Sequence, residues 1–582
     1  MTTDYPLLVL TAVLLLTSQT FAAHFIIVGG GTSGLLLANR LSADPQNTVT
    51  VIEPGPDERN NPNITDIQRR FGVQNTPIDW AYQSEPQKDL NERSTTYHAG
   101  KLLGGTSMIN AMMYVRPDAA LIDTWPPRWK WRDLWPYFLR TESFRVPTAT
   151  QISLNATWEP RYHGRSGDID VCYPFELANG TFGETVRKAW QELGVAKNID
   201  ANGGVVQGFF PRQMTVQRDA TLRESSATAF FYPVDQRMNL QVVRGTVTRI
   251  AWHESSGGIR EKARGVEFIT HDGIIESLTL RDPGEVILSA GSLRSPGILE
   301  ASGIGDESVL ERVGIPPRID LVGVGKNLQD QLNCGIAYNS TLNISGITPY
   351  ATFVTAKQLF GNDTAAIRDA LNSSFPALAQ NLAASGSAAS VTSALRILTT
   401  QHEIFFRENV SVAEITTSAN SQGRVSLSFW SLLPFSRGAV HIRRSNGTMD
   451  LDKSKIDPKF FSAEFDVTYK IAVARFTQAF AETETMKHLG LVPVQDLPSN
   501  ASNEQWESFL RKTCKTNYHP VGTASMMSRE MGGVVDQQLK LYGTENVRVV
   551  DASVLPTQLN GHMVATLYAV AMKAADLILD AS

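Results

Sequence analysis

Apolar positions open the chain in two different rhythms. Leu7–Leu16 is an apolar run interrupted only by Thr11. It matches the length of a secretory-signal centre and is too short to cross a bilayer. Ala22 and Ala23 offer small residues for cleavage, so residues 1–22 are expected to be a signal peptide. The segment carries Asp4 and no Lys or Arg ahead of the run, and the alternative is a buried element kept in the mature chain. The next apolar run, His24–Val28, reads as a buried strand and stops at Gly29-Gly-Gly31-Thr-Ser-Gly34. Leu35–Leu41 follows as an apolar helix, and Val49–Ile52 is a second strand that ends in Glu53.

This is a G-x-G-x-x-G turn between strand and helix, with an acid 19 residues after its last glycine. Each residue type has a mechanical purpose. Gly29 permits the tight turn, Gly31 lets a pyrophosphate approach the backbone, and Gly34 lets helix and strand pack closely. The helix start at Thr32 and Ser33 offers free N–H groups and the positive end of the helix dipole to phosphates. Glu53 can accept hydrogen bonds from a ribose diol. The unit therefore predicts a bound dinucleotide. NAD and FAD fit it equally, and a secreted setting favours the more tightly held FAD.

Composition narrows the rest. Hydrophobic residues are 42% and charged residues 19% of 582, with a net charge of −5. These are the proportions of a large globular chain without the basic face that nucleic-acid recognition needs. Later runs are too short for a transmembrane helix. Three cysteines (Cys172, Cys334, Cys514) allow at most one intrachain disulfide, and no Cys/His spacing suggests a metal. Ten Asn-x-Ser/Thr sequons, at Asn63, Asn155, Asn179, Asn339, Asn343, Asn362, Asn372, Asn409, Asn446 and Asn500, reinforce the expectation of a secreted glycoprotein. No HExxH or GxSxG supports metal-dependent hydrolysis or acyl transfer.

Four further motifs follow in order: Gly100–Asn110 (a glycine-rich loop expected to enter an apolar helix), Gly291–Gly305, Asn517–Met526, and Val547–Pro556 followed by Gly561-His562. In this order and spacing they resemble the glucose-methanol-choline (GMC) family of FAD oxidoreductases, above all the fungal glucose oxidases and FAD-dependent glucose dehydrogenases. The resemblance covers nearly all of the chain after residue 23. It implies a mixed α/β and α+β fold, with a Rossmann-type FAD-binding domain and a substrate domain on a mostly antiparallel sheet. Mapped here, residues 23–330 are mainly FAD domain with a substrate-domain insertion around 145–205. Residues 331–515 are mainly substrate domain, and 516–582 carry the active-site histidines and return to the FAD domain.

The resemblance also implies residue roles. Thr106 and Asn110 would lie along the FAD, with a helix cap as the alternative for Thr106. The backbone of Val247 would meet the adenine. Asp551 and Ala552 would sit near the ribityl chain and pyrophosphate, with a helix or turn cap as the alternative for Asp551. His519 would be the general base and His562 its partner. That assignment suits the chemistry, since removing a hydroxyl proton near neutral pH needs a group like imidazole. Asn517 and Lys515 would face the substrate. Sugar-acting members carry arginine where Lys515 stands, and lysine cannot reproduce its two-pronged donor. Met112 and Met113 replace smaller side chains, as pocket wall or as helix core. The expected partners are a small-molecule alcohol (a sugar, a polyol or a primary alcohol of specialised metabolism) and an electron acceptor such as oxygen or a quinone. The expected assembly is a monomer or homodimer. A non-redox lyase or cyclase on the same FAD scaffold is the alternative, and a non-catalytic flavoprotein a third.

Overall fold

The structure, a computed structural model, describes residues 22–581 except positions 70, 175, 218–220, 255–259, 446 and 447. The expected signal peptide thus lies outside the described residues, apart from Ala22.

The first sheet has seven strands in the spatial order 275–279, 263–270, 240–252, 48–53, 24–28, 284–288 and 547–549. The last five are parallel, and the first two extend one side as antiparallel strands. His24–Val28 is buried at every position. This is why it reads as continuous apolar text, as a central parallel strand covered on both faces must. Helices Thr32–Leu41 and Met563–Leu579 pack against each other on this sheet. Each parallel strand delivers its carboxyl end to the same side: Gly29, Glu53, Ser289 and, after 547–549, Asp551. Open parallel sheets bind ligands at that side.

The second sheet is antiparallel, in the order 492–493, 332–339, 424–431, 411–419, 350–355 and 208–211, with the short strand Lys515–Thr516 added to 332–339. A disulfide joins Cys334 to Cys514 across 180 residues of sequence, next to that short pairing. Cys172 is a free, buried thiol, pushed up to about 12 by burial. Helix Glu464–Ala481 packs under strand 424–431, and helices Thr364–Ala384 and Val391–Phe405 pack on one another. The mixed architecture expected from the sequence is present. Among the described residues no helix is long and apolar enough to cross a membrane.

One local expectation is corrected. The Gly100–Asn110 motif does not lead into a helix; it makes a single tight turn, Gly105–Met108, and then a two-residue strand, Met113–Tyr114. Gly104 and Gly105 sit at φ +93° and +51°, and Met112 at φ +60°, conformations that a right-handed helix excludes. Arg223 Nη1 takes the Asn110 carbonyl at 2.8 Å. Thr106 Oγ1 accepts the Gly100 N–H at 3.2 Å, so Thr106 caps no helix. Met112 and Met113 are therefore not helix core.

Candidate active site

A cavity of about 820 Å³ lies between the carboxyl ends of the first sheet and one face of the second. Its first-sheet wall includes Gly29, Gly31, Thr32, Ser33, Glu53, Thr106, Asn110, Val247, Asp551 and Ala552. Gly34 lies just behind it, where a side chain is impossible: a Cβ there would stand 2.0 Å from the Gly29 carbonyl oxygen. At Gly31 the reverse holds. A Cβ would meet nothing closer than 3.9 Å and would project into open cavity, into the space a pyrophosphate would occupy. The first intrahelical bond runs from Leu35 N–H to Gly31 C=O, so the N–H groups of Thr32, Ser33 and Gly34 start the helix without helical partners. These features suit the two phosphates of a dinucleotide.

Glu53 accepts from Gly30 N–H and Gly55 N–H, both at 2.9 Å. Burial pushes its carboxyl up to about 7, against the pull of those bonds and of Arg294 and Lys101 nearby. The parallel pairing of strand 240–252 with 48–53 ends at Arg244 opposite Glu53. Beyond it the backbone of Thr246 and Val247 borders the cavity, a free strand edge of the kind a flat base can pair with. Asp551 also serves the protein: it accepts from Gly291 N–H (2.9 Å), the Ser295 hydroxyl (2.6 Å) and Ser553 N–H (2.8 Å). It caps the turn Ala552–Val554 and borders the cavity at once.

The opposite end of the cavity holds the two histidines. The His519 and His562 rings are 5.8 Å apart between centroids and nearly perpendicular, at 84°. His519 follows the strand Lys515–Thr516 and is fixed on every side. Its backbone N–H donates to Asp330 Oδ1 (3.0 Å), its carbonyl accepts from Gln558 (2.8 Å), and its Nδ1 meets Gln331 Oε1 (2.8 Å). Burial, and then the nearby His562, push the imidazole down to about 3. The ring is half-buried, and the exposed edge faces the cavity. Asp330, buried among Thr516, Tyr97 and these backbone donors, is pushed up to about 6 by its burial.

His562 precedes the helix Met563–Leu579. Its backbone N–H donates to Val115 C=O, and its Nε2 lies 3.2 Å from Glu414 Oε1. Glu414 and Trp430 are register partners on neighbouring strands, and the Trp430 ring stands edge-on to His562 at 6.1 Å. Thr416, Thr417, Ser418 and Ala419 border the cavity from one strand, and Ser428 and Trp430 from its neighbour. Asn333 opposes Lys515 in the sheet and donates to Asn517 Oδ1 at 2.9 Å. Lys515, Asn517, Met112, Met113, Met214 and Tyr518 complete this end.

Sequence reasoning missed Gln331, Glu414, Trp430 and Arg223. Glu414 left a signal: it is the one carboxylate in Ser411–Ala419, a strand otherwise free of charge. Gln331 lies in a polar triplet, Gln329-Asp330-Gln331, that interrupts apolar text and is buried throughout.

Comparison with known proteins agrees with this architecture. Residues 23–333 match the N-terminal part of the GMC oxidoreductase family, and residues 434–571 match its C-terminal part. The chain is 43% identical over 563 residues to glucose oxidase-like protein fsoC of Humicola fuscoatra, covering 95% of each chain. It is 33% identical to glucose oxidase 2 of Penicillium expansum, covering 97% of this chain and 94% of that one. Among solved structures, an FAD-dependent oxidoreductase from Chaetomium thermophilum superposes with a TM-score of 0.87 at 29% identity, over 96% of this chain and 99% of the other. A fungal aryl-alcohol oxidase gives 0.85 at 28%, with the same coverage. The chain belongs to the GMC oxidoreductase family and is an FAD-dependent oxidoreductase acting on alcohols or sugars.

Proposed function

We propose that His519 is the general base that takes the hydroxyl proton of a small alcohol substrate, and that His562 holds the same oxygen. Bound FAD supplies the acceptor for the hydride leaving the substrate carbon. The observation that carries this reading is the perpendicular pair of imidazoles on the cavity wall, 5.8 Å apart, each anchored by its own buried side chain. A hydroxyl between the two rings can give its proton to one and accept a hydrogen bond from the other. Gly31, Thr32, Ser33 and Gly34 would hold the pyrophosphate, Glu53 a ribose, Val247 the adenine, and Thr106, Asn110, Asp551 and Ala552 the flavin half. Replacing His519 by alanine should leave FAD bound and abolish anaerobic flavin reduction. Turnover at the parent rate would remove His519 from the mechanism.

The substrate end carries both polar groups (Lys515, Asn517, Asn333, Thr416, Ser428) and apolar ones (Met112, Met113, Met214, Trp430). The polar set supports a polyol and the apolar set a less polar primary alcohol. Anaerobic bleaching of the flavin by glucose, against bleaching only by aryl or alkyl alcohols, separates them. Loss of no more than about twofold in sugar affinity in Lys515→Met would remove that side chain from sugar recognition. Relatives named glucose oxidase support oxygen as acceptor, which hydrogen peroxide release would register. A lyase or cyclase would show turnover without any bleaching. Exposure of Asn63, Asn179, Asn339, Asn343, Asn362, Asn372, Asn409 and Asn500 supports a glycosylated, secreted enzyme. An endoglycosidase that left the mass of the native protein unchanged would count against it.

A further inference from the structure

We infer that Gln331 is a positioning residue that locks His519 in one tautomer, with hydrogen on Nδ1 and the lone pair of Nε2 turned to the substrate. The inference rests on the reading of His519 as base and adds the group that makes it one. Gln331 is fully buried. Its Nε2 donates to two backbone carbonyls, Leu432 at 2.9 Å and Leu559 at 2.8 Å. A carbonyl can only accept, so these two bonds fix which way the amide faces. Turning it over would set Oε1 against two carbonyl oxygens and strand both.

With the amide so fixed, Oε1 is the atom that faces His519 Nδ1 at 2.8 Å. It needs a donor, and the ring nitrogen must carry the hydrogen. A neutral imidazole has one hydrogen, and burial disfavours a second one. Nε2 is then bare. The remaining neighbour of Nδ1 accommodates this. Asn517 is placed with its Nδ2 3.2 Å from Nδ1 while its Oδ1 accepts from Asn333, so a hydrogen on Nδ1 requires both amides to turn over. That reverses the direction of their mutual bond, keeps it made, and presents a second acceptor to the same N–H. The charged or titratable groups near the ring include His562 across the cavity, Asp330 at the backbone N–H, and Lys515 and Tyr518 on the same cavity wall. The hydrogen bonds of Nδ1 go to Gln331 and Asn517, not to these groups.

Gln331 also spans three chain segments. It immediately precedes strand 332–339, it holds Leu432 just past the end of strand 424–431, and it holds Leu559 three residues before His562. The tautomer of one histidine is thus set by the same contact that places the loop bearing the other.

The test uses the FAD-loaded enzyme with anaerobic stopped-flow reduction over pH, comparing His519→Ala, Gln331→Met and Gln331→Glu. The Gln331→Met protein should keep its flavin, lose about 10- to 100-fold in the limiting reduction rate, and hold KM within about twofold. Gln331→Glu keeps an oxygen facing Nδ1–H, but its second oxygen replaces the amide nitrogen against the Leu432 and Leu559 carbonyls and suits them only while it carries a proton. It should therefore recover part of the rate in acid solution and lose that recovery as pH rises and the carboxyl ionises. Parent reduction rates per bound flavin in both variants at every pH would make Gln331 merely structural and overturn the inference. If either variant fails to fold, the parent enzyme decides. Ring nitrogen NMR shifts of ¹⁵N-histidine-labelled protein, with His519 assigned by difference from His519→Ala, should show hydrogen on Nδ1 and a bare Nε2. The opposite tautomer overturns the inference while leaving the base in place. Turnover by His519→Ala would overturn the base reading and the lock together.

Discussion

The environment of His519 predicts an unusual pH profile. An ordinary histidine titrates near 6.5, and burial followed by the neighbouring His562 pushes this one down to about 3. The sign matters. A lowered value disfavours the imidazolium, so the base stays neutral, and competent, into acid solution. At pH about 5 an ordinary histidine would be about 3% neutral, whereas His519 would be about 99% neutral, a roughly 30-fold difference in available base. With only half of the displacement retained in a water-containing cavity, the neutral fraction at that pH would still be about 60%. The assay is kcat/KM for anaerobic flavin reduction, which reports ionisations of the free enzyme. It should run flat through the region where a normal histidine switches off. Asp330, pushed up to about 6 by burial, sits at the His519 backbone N–H and must be separated from it. Asp330→Asn keeps the acceptor and removes the titration. An acid limb between about 6 and 7 that survives Asp330→Asn would refute the reasoning. The same displacement gives folding stability a direction. The unfolded chain binds a proton below pH 6.5 that the native site refuses down to about 3, so this contribution is complete above 6.5 and is lost as pH falls through that window.

Three further outcomes are expected. Glu414→Gln keeps the shape beside His562 but replaces a carboxyl oxygen by an amide nitrogen, and should slow flavin reduction by roughly 10-fold, corresponding to about 1–2 kcal/mol; an unchanged single-turnover rate would show that Glu414 does not support His562. Gly31→Leu places its Cβ no closer than 3.9 Å to the Gly105 and Ser289 backbone, so it should yield a folded apoprotein. Full flavin absorbance after purification would count against the pyrophosphate assignment. Replacing Cys334 and Cys514 together by serine opens a 180-residue loop and should cost about 2–5 kcal/mol of stability in denaturant titration. It should also weaken substrate affinity, since Lys515 and Asn517 follow Cys514 within three residues; an unchanged denaturant midpoint would refute the first expectation and an unchanged KM the second.

Particular residues show which parts of this molecule local sequence can express. The turn Gly29–Gly34 is legible because each glycine answers a contact within a few residues or with a parallel neighbour, and His24–Val28 is legible because a strand buried on both faces must be apolar throughout. The histidines were found by motif, in segments with local constraints of their own. The loop Gly100–Asn110 misled, because its apolar spacing suits a helix while its geometry is set by Gly31 packing against Gly105 and by Arg223, more than a hundred residues away. Gln331 and Glu414 stand out as polar residues, but their roles were unreadable for a related reason. Their meaning lies in His519 and His562, which come some 150 to 190 positions later, and nothing near either residue in the chain asks for an amide or an acid.

The path of the backbone through the seam between the sheets bears on how such enzymes can be redesigned by recombination. His519 leaves a strand of the second sheet, and its Nδ1 is held by the residue that opens another. His562 leans on Glu414 in that sheet, yet one residue later the chain enters a helix packed against the first. A crossover placed between the two layers would pair each imidazole with a foreign counterpart and leave neither parent's chemistry intact. Chimaeras should therefore inherit residues 330–331, 414 and 519–562 as one block. Cavity-wall positions such as Met113, Thr416, Ser428 and Lys515 can be exchanged to alter substrate preference, because they shape the space without carrying the hydrogen bonds that aim the two rings.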